Sequence, residues 1–445
     1  MSERIKKRLD AVDEELLTWT HKSGLTVCLS QKARSSAFAV LTVRFGSDDG
    51  SFRRYPGGDI RELPDGVAHF LEHKMFESED GTDVFELYAE TGAYANAFTT
   101  RGHTSYLFSC TDSFEDNLRI LLNCVTHPYF TEENVQKELD IIGEEIDMHE
   151  DHPGTRISRN LMNAAYALHP VRKSVLGTRE TITQITPEML YDCVRTFYNP
   201  RNMLLSVCGN LDPDELDRIC DECLPDEAPP FTAVRVLPDE PENVCTERVE
   251  AEADIAQPMV AVCLKAVCPA DPSACMRILA ANEINLELLF GRSGDFFNRL
   301  YEEGVIGDRF GAYFSLEDGC AFTEIDAVCD EPDRFLAELY RELEKRAATY
   351  FGPDEFEQAK RTVYANALFP LDSTEDTALA VSDSWAQGRN ILDALEQVMT
   401  VSREEAFSVL QTTMTPDPSR RAVSILYPQS KKAERNAKTK KPARP

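Results

Sequence analysis

His69, Glu72 and His73 stand within five residues of one another, in the run Gly66-Val67-Ala68-His69-Phe70-Leu71-Glu72-His73-Lys74-Met75-Phe76. Apolar residues recur there at helical spacing and no Pro or Gly interrupts from Val67 to Glu79, which predicts a helix. Residues four apart share a helix face, so both imidazoles can grip one ion, and Glu72 lies on the edge of that face. A zinc hydrolase needs two neutral imidazoles, a third ligand and an open position. It also needs a carboxylate that is not a ligand and can take a proton from water. These five residues supply the imidazoles and the base. The order H-x-x-E-H reverses the commoner H-E-x-x-H run and is the inverted-zincin signature. For the pentapeptide alone, a packed His/Glu cluster without metal chemistry is the competing reading.

A third ligand must come from elsewhere. All eight histidines (His21, His69, His73, His103, His127, His149, His152, His169) fall within the first 169 residues, which places any histidine-based metal site in the N-terminal half. Downstream, Thr131 with Glu133 and Asn134 after it reads as a helix start, and helical periodicity continues to Met148. Glu138 and Glu145 are two turns apart and share a face, while Glu144 is rotated away. In an acidic protein such a face is commonly solvated, so spacing alone leaves each glutamate open.

The 445 residues suffice for two or three domains, and 42% hydrophobic content fits a globular chain. A formal net charge of −30 argues against nucleic acid and anionic membrane surfaces as partners. No apolar run approaches a membrane span, and the charged N-terminus lacks the apolar core of a secretory signal. Thirteen scattered cysteines, an odd number, suggest reduced thiols and a cytoplasmic protein. Cys220-Asp221-Glu222-Cys223 has no second pair nearby and reads as structural.

Together, H-F-L-E-H, the later helix with Glu138 and Glu145, and Asn96-Ala97-Phe98-Thr99 followed by His103-Thr104-Ser105-Tyr106 resemble the pitrilysin/insulinase family of zinc metallopeptidases. The resemblance runs from about Leu16 to Tyr427 and is nearest the bacterial YmfH-like and mitochondrial-processing-peptidase-like branch. It implies one Zn2+ per chain held by His69, His73 and Glu145, with Glu72 as general base. It also implies that Glu138 orients a ligating histidine, and that Asn96 and Ala97 lie on an edge strand pairing with the substrate backbone. The implied fold is α+β (an α/β sandwich): two homologous domains, each an antiparallel-rich sheet packed with helices, of the LuxS/MPP-like metallohydrolase type.

Along the chain, residues 1 to 14 read as a charged lead-in, and Leu16–Trp19 with Leu25–Leu29 as a hairpin. Phe38–Phe45 reads as a buried strand and 46–64 as a polar loop. Further helices are expected over Phe85–Thr91, Phe114–Thr126, Asn160–Leu168 and Pro187–Tyr198, with strands at Tyr94–Thr99, Thr104–Ser109 and Met203–Cys208, the last closing the sheet. The proline-rich stretch 225–241 is the clearest linker. Beyond the linker, the chain echoes its first half. An offset of 214 (290 − 76) puts Glu283, Leu286 and Glu287 where His69, Glu72 and His73 stand, and an offset of 221 (350 − 129) puts Asn366 at Glu145. The expected organisation is a zinc-bearing catalytic domain over 1–225, a linker over 226–244, a homologous domain without metal over 245–428, and a basic disordered tail over 429–445.

One family feature is missing. Active members carry an Arg and a Tyr, eight positions apart counting both, that clamp the substrate carbonyl. Aligned here, Val305 replaces the Arg and Gly311 or Ala312 the Tyr; Arg309 and Tyr313 are only four apart, and the competing alignment is one that restores Arg299 or Tyr313 to the role. The resemblance therefore implies a heterodimer with a homologous non-zinc subunit that carries the pair. The functional expectation is a zinc-dependent endopeptidase for short or unfolded peptides. The alternatives are a non-catalytic peptide-binding or scaffold subunit, and a purely structural His/Glu cluster.

Overall fold

A computed structural model describes residues 3–9, 14–226, 228–269, 271–317, 319–414 and 417–429. The basic tail expected from residue 429 lies, after its first residue, outside the described residues.

Two compact units emerge, and neither is one half of the sequence. The first takes residues 1–146, 173–237 and 367–395; the second takes 147–172, 238–366 and 396–445.

The first unit is built on ten strands: β1 (Ile5–Leu9), β2 (Glu14–Thr20), β3 (Thr26–Gln31), β4 (Ala37–Val43), β5 (Ser51–Arg53), β6 (Ile60–Glu62), β7 (Tyr94–Thr99), β8 (Thr104–Cys110), β9 (Met203–Gly209) and β10 (Val234–Arg235). Seven of them form one sheet in the order β1-β2-β3-β9-β4-β8-β7, parallel only between β3 and β9. Part of the charged lead-in is thus an edge strand. β9 does not close the sheet but lies inside it, between β3 and β4, because every residue from Met203 to Gly209 is buried and has no solvent face to offer an edge. The expected polar loop 46–64 contains β5 and β6, which with β10 make a second small sheet. Part of the proline-rich stretch is therefore tied down, since the Arg235 guanidinium also donates to both carboxylate oxygens of buried Asp49.

The helix that opens on the histidine run, α1, spans Val67–Lys74 and is shorter than the expected reach to Glu79. It starts at Gly66, whose φ of +92° favours glycine and whose Cβ would meet the Leu176 carbonyl oxygen at 2.4 Å. It stops because the chain turns to bury the next side chains: the Met75 amide closes the last turn on Leu71, and Phe76 stacks on Phe85 at 4.5 Å. Phe70 and Leu71 are fully buried, each contributing about 1.5–3 kcal/mol of transfer free energy that fixes α1 against the sheet. Next come α2 (Val84–Glu90), α3 (Phe114–Thr126) and α4 (Glu132–Asp151). The hydroxyl of Thr131 caps the start of α4 by accepting from the Asn134 amide.

The second unit holds β11 (Arg248–Ala253), β12 (Met259–Lys265), β13 (Phe310–Glu317), β14 (Cys320–Val328) and β15 (Arg421–Pro428), ordered β11-β15-β12-β14-β13 with only β11 and β15 parallel. That order repeats β3-β9-β4-β8-β7 strand for strand. The fold is the expected α+β pair of related domains.

Each unit takes a helix from the other half of the sequence. The helix α5 spans Pro153–Ala165 rather than Asn160–Leu168, starting early because Pro153 suits a first helical position. Its Ile157, Leu161, Met162 and Ala165 pack with Ala261, Cys263, Ala422 and Leu426 of the second sheet. Conversely, the helix Thr374–Ala386 places Ala378 among Phe38, Val40, Leu107 and Cys208 of the first sheet. No helix among the described residues is long and apolar enough to cross a membrane.

Candidate metal centre

The four candidate metal and proton-transfer groups lie on two helices of the first unit, α1 and α4. His69 and Glu72 are 7% exposed; His73 and Glu145 are partly buried. One ligand atom each of His69, His73 and Glu145 fall within 4.8 Å of one another. Glu145 Oε2 lies 3.6 Å from His69 Nε2 and 3.7 Å from His73 Nε2, and the two rings are 4.6 Å apart. These separations exceed hydrogen bonds. Ligands at about 2.0–2.2 Å in a tetrahedral array stand roughly 3.3–3.6 Å apart, so the three donors fit a zinc-sized ion with a fourth position left over. Among the described residues this is the group of His, Cys, Asp and Glu with such convergence.

Glu138, two turns before Glu145, stands behind His73. Its Oε1 is 2.9 Å from His73 Nδ1, and its Oε2 accepts from Lys74 Nζ at 3.2 Å. Burial works against ionisation of Glu138, but His73 and Lys74 outweigh it and hold the carboxyl below its usual range. Burial likewise opposes the His73 imidazolium, yet Glu138, then Glu72 and Glu145, raise its pKa overall. With its Nδ1 engaged, His73 turns Nε2 toward Glu145, the orientation a metal ligand needs.

Glu72 is positioned from the sheet. β7 packs beside α1, and its residues alternate: Ala95, Ala97 and Thr99 share one face. From that face the Thr99 hydroxyl donates to Glu72 Oε2 at 2.7 Å. Burial pushes the Glu72 carboxyl up, against the opposing pull of Thr99 and His73. A buried carboxyl held through one oxygen by a hydroxyl keeps its other oxygen available to exchange a proton. Nothing in residue type singles out Thr99 within its motif; the period-two parity from Ala95 is the signal that could have found it.

Asn96 and Ala97 lie mid-way along β7, the last strand of the sheet, paired on one side with Leu107 and Tyr106 of β8. Asn96 is exposed, and its side chain accepts from the Ala97 amide at 2.9 Å. Other histidines have different work: His21 pairs with Asp221 and His103 with Asp383. In the second unit, Val305 is 2% exposed and packed in the core, and Tyr313 donates to Glu324 at 2.8 Å.

Residues 56–179 match the family model for insulinase (peptidase family M16), and residues 184–363 match that for the peptidase M16 inactive domain. A Bacillus subtilis protein named as an uncharacterized zinc protease, YmfH, is 34% identical over 430 residues, 95% of this chain and 98% of the relative. A Rickettsia bellii protein, also named as a zinc protease, is 23% identical across 88% of this chain and 92% of its own. The crystal structure of an M16-like peptidase from Alicyclobacillus acidocaldarius superposes with a TM-score of 0.88 at 31% identity, covering 94% of this chain and 99% of that one. A protease from Helicobacter pylori shares the fold, with a TM-score of 0.79 at 16% identity over 96% and 100% of the two chains. By its identity to the Bacillus subtilis protein along nearly its whole length, the chain belongs to the insulinase family, peptidase family M16.

Proposed function

We propose that this chain is a zinc-dependent endopeptidase of short or unfolded peptides, holding one Zn2+ on His69, His73 and Glu145. The convergence of those three donor groups beside a buried, non-ligating Glu72 carries the reading. Zinc, when bound, would lower the pKa of a water toward ~7 and polarise the scissile carbonyl. Glu72 takes the proton from the attacking water and hands it to the leaving amine. Thr99 keeps the Glu72 carboxylate aimed, and Glu138 fixes the His73 ring. The free edge of β7 at Asn96 and Ala97 accepts the peptide backbone as an added strand.

Val305, buried in the core, stands where the alignment expects the family's Arg, which supports a heterodimer with a homologous non-zinc subunit that supplies the Arg/Tyr pair. None of the thirteen cysteines forms a disulfide, which fits a reducing compartment such as the cytoplasm. The relatives' names as zinc proteases support zinc and proteolysis together. The alternative, a non-catalytic peptide-binding or scaffold subunit, draws on the same missing clamp.

The test is elemental analysis of the purified chain beside Glu145→Gln, followed by peptide cleavage with and without the partner. About one zinc per chain, lost in the variant, and activity that needs both subunits are expected. Absence of zinc in the wild type without chelator favours the binding-subunit alternative. Ordinary turnover by the zinc-loaded single chain removes the need for a partner.

A further inference from the structure

Lys74 follows His73 directly and has no exposed side-chain surface. A buried ammonium is unfavourable unless carboxylates compensate it, and here two do: Glu77, and Glu138 at 3.2 Å. Glu138 is therefore held at both oxygens, by the His73 ring on Oε1 and by Lys74 on Oε2. A carboxylate held through one oxygen can swivel; one held through two keeps its plane. Both anchors sit on consecutive residues of α1, so the pair moves as one body with the helix.

We propose that Lys74 is a positioning residue for the metal centre: acting through Glu138, it fixes the His73 imidazole and tightens the grip of His69, His73 and Glu145 on zinc. This rests on the reading of that group as the zinc site. An ion pair serving only stability would leave zinc affinity unchanged in protein that remains folded.

The experiment is zinc affinity, by competition with a chromophoric chelator, for full-length wild type, Lys74→Met, Glu138→Gln and the double variant. Removing the group hydrogen-bonded to a ligating histidine typically weakens metal affinity ~10–100-fold, the loss expected in Glu138→Gln, and Lys74→Met, one contact further out, should fall at the lower end, ~10-fold. In the Glu138→Gln background the same substitution should change affinity less than about twofold, since the path runs through Glu138. Wild-type affinity in folded Lys74→Met, or an undiminished loss in the Glu138→Gln background, overturns the proposal. Should Lys74→Met fail to fold, Glu77→Gln decides: it leaves the ammonium wholly to Glu138, so zinc affinity should rise, whereas an unchanged or falling affinity overturns the role. If wild type binds no zinc, the site reading fails. The low-field Nδ1 proton of His73, followed by NMR with labelled histidine, still reports on positioning: it should shift in Lys74→Met, and an unmoved resonance overturns the role.

Discussion

The two units build one five-strand order twice and put different chemistry on it. In the first, α1 carries His69, Glu72 and His73, and α4 carries Glu145. In the second, the helix Pro272–Phe290 carries Glu283, Leu286 and Glu287, which the sequence offset of 214 (290 − 76) pairs with His69, Glu72 and His73, and the helix Pro353–Leu368 carries Asn366, which the offset of 221 (350 − 129) pairs with Glu145. No histidine follows residue 169, so the later helices have no imidazole for zinc. Leu286, where the base would stand, is 7% exposed and packs into the core. The difference teaches that the strand order does not depend on the metal ligands: the second copy keeps its sheet and core without them.

The sharpest way to break this contrast is Glu72→Gln, which makes the first unit as unable to move a proton as Leu286 makes the second. Peptide turnover should fall by about 10³-fold or more with zinc still bound. Measurable retained turnover would assign the base elsewhere. Next, Glu145→Asn copies Asn366 into the first unit. Elemental analysis should find zinc largely lost while circular dichroism and melting stay near wild type; retained zinc would mean that the third ligand is another group.

The second unit has its own charged centre, and it concerns folding. Glu240, from the proline-rich stretch, accepts from the backbone amides of Ala167, Leu168 and His169 at 2.7–2.8 Å and from Lys265 Nζ at 2.7 Å. Burial raises its pKa, but Lys265 and those amides prevail and hold it at about 2. Breaking such a pair by Glu240→Gln should cost about 3 kcal/mol, read as a lowered denaturant midpoint at neutral pH. Because the folded pKa lies below the unfolded one of about 4.3, the contribution is present above that value and fades as pH falls toward 2. The gap between wild type and variant should therefore close across that range; a constant gap would show that the charge is not responsible. The smallest effect is expected from Tyr313→Phe, less than twofold in cleavage by the assembled enzyme. A large loss there would reinstate Tyr313 as part of a clamp.

Much of this was legible in residue types and spacing. The four-residue interval of His69 and His73 put both on one helix face, and the seven-residue interval put Glu138 and Glu145 on another, because local backbone geometry fixes those relations. Spacing did not say which glutamate meets which histidine, and only the family resemblance separated them: Glu138 reaches His73 Nδ1 while Glu145 faces both Nε2 atoms, a matter of how α4 docks against α1. Nor were Thr99 and Lys74, because their roles depend on partners far off in sequence, Glu72 and Glu138.

The sequence by itself determined the main helices and strands around the site, the duplicated plan and the confinement of imidazoles to the first half, because periodicity and composition are read directly along the chain; β1, β5 and β6, whose residues lack a clear alternation, were missed. Only the tertiary structure decided that α5 covers the second sheet, that Thr374–Ala386 covers the first, and that β9 runs through the middle of its sheet. The physical reason is that an apolar face specifies that it must be buried, not against what. That choice is made by fit among surfaces brought together from distant parts of the chain.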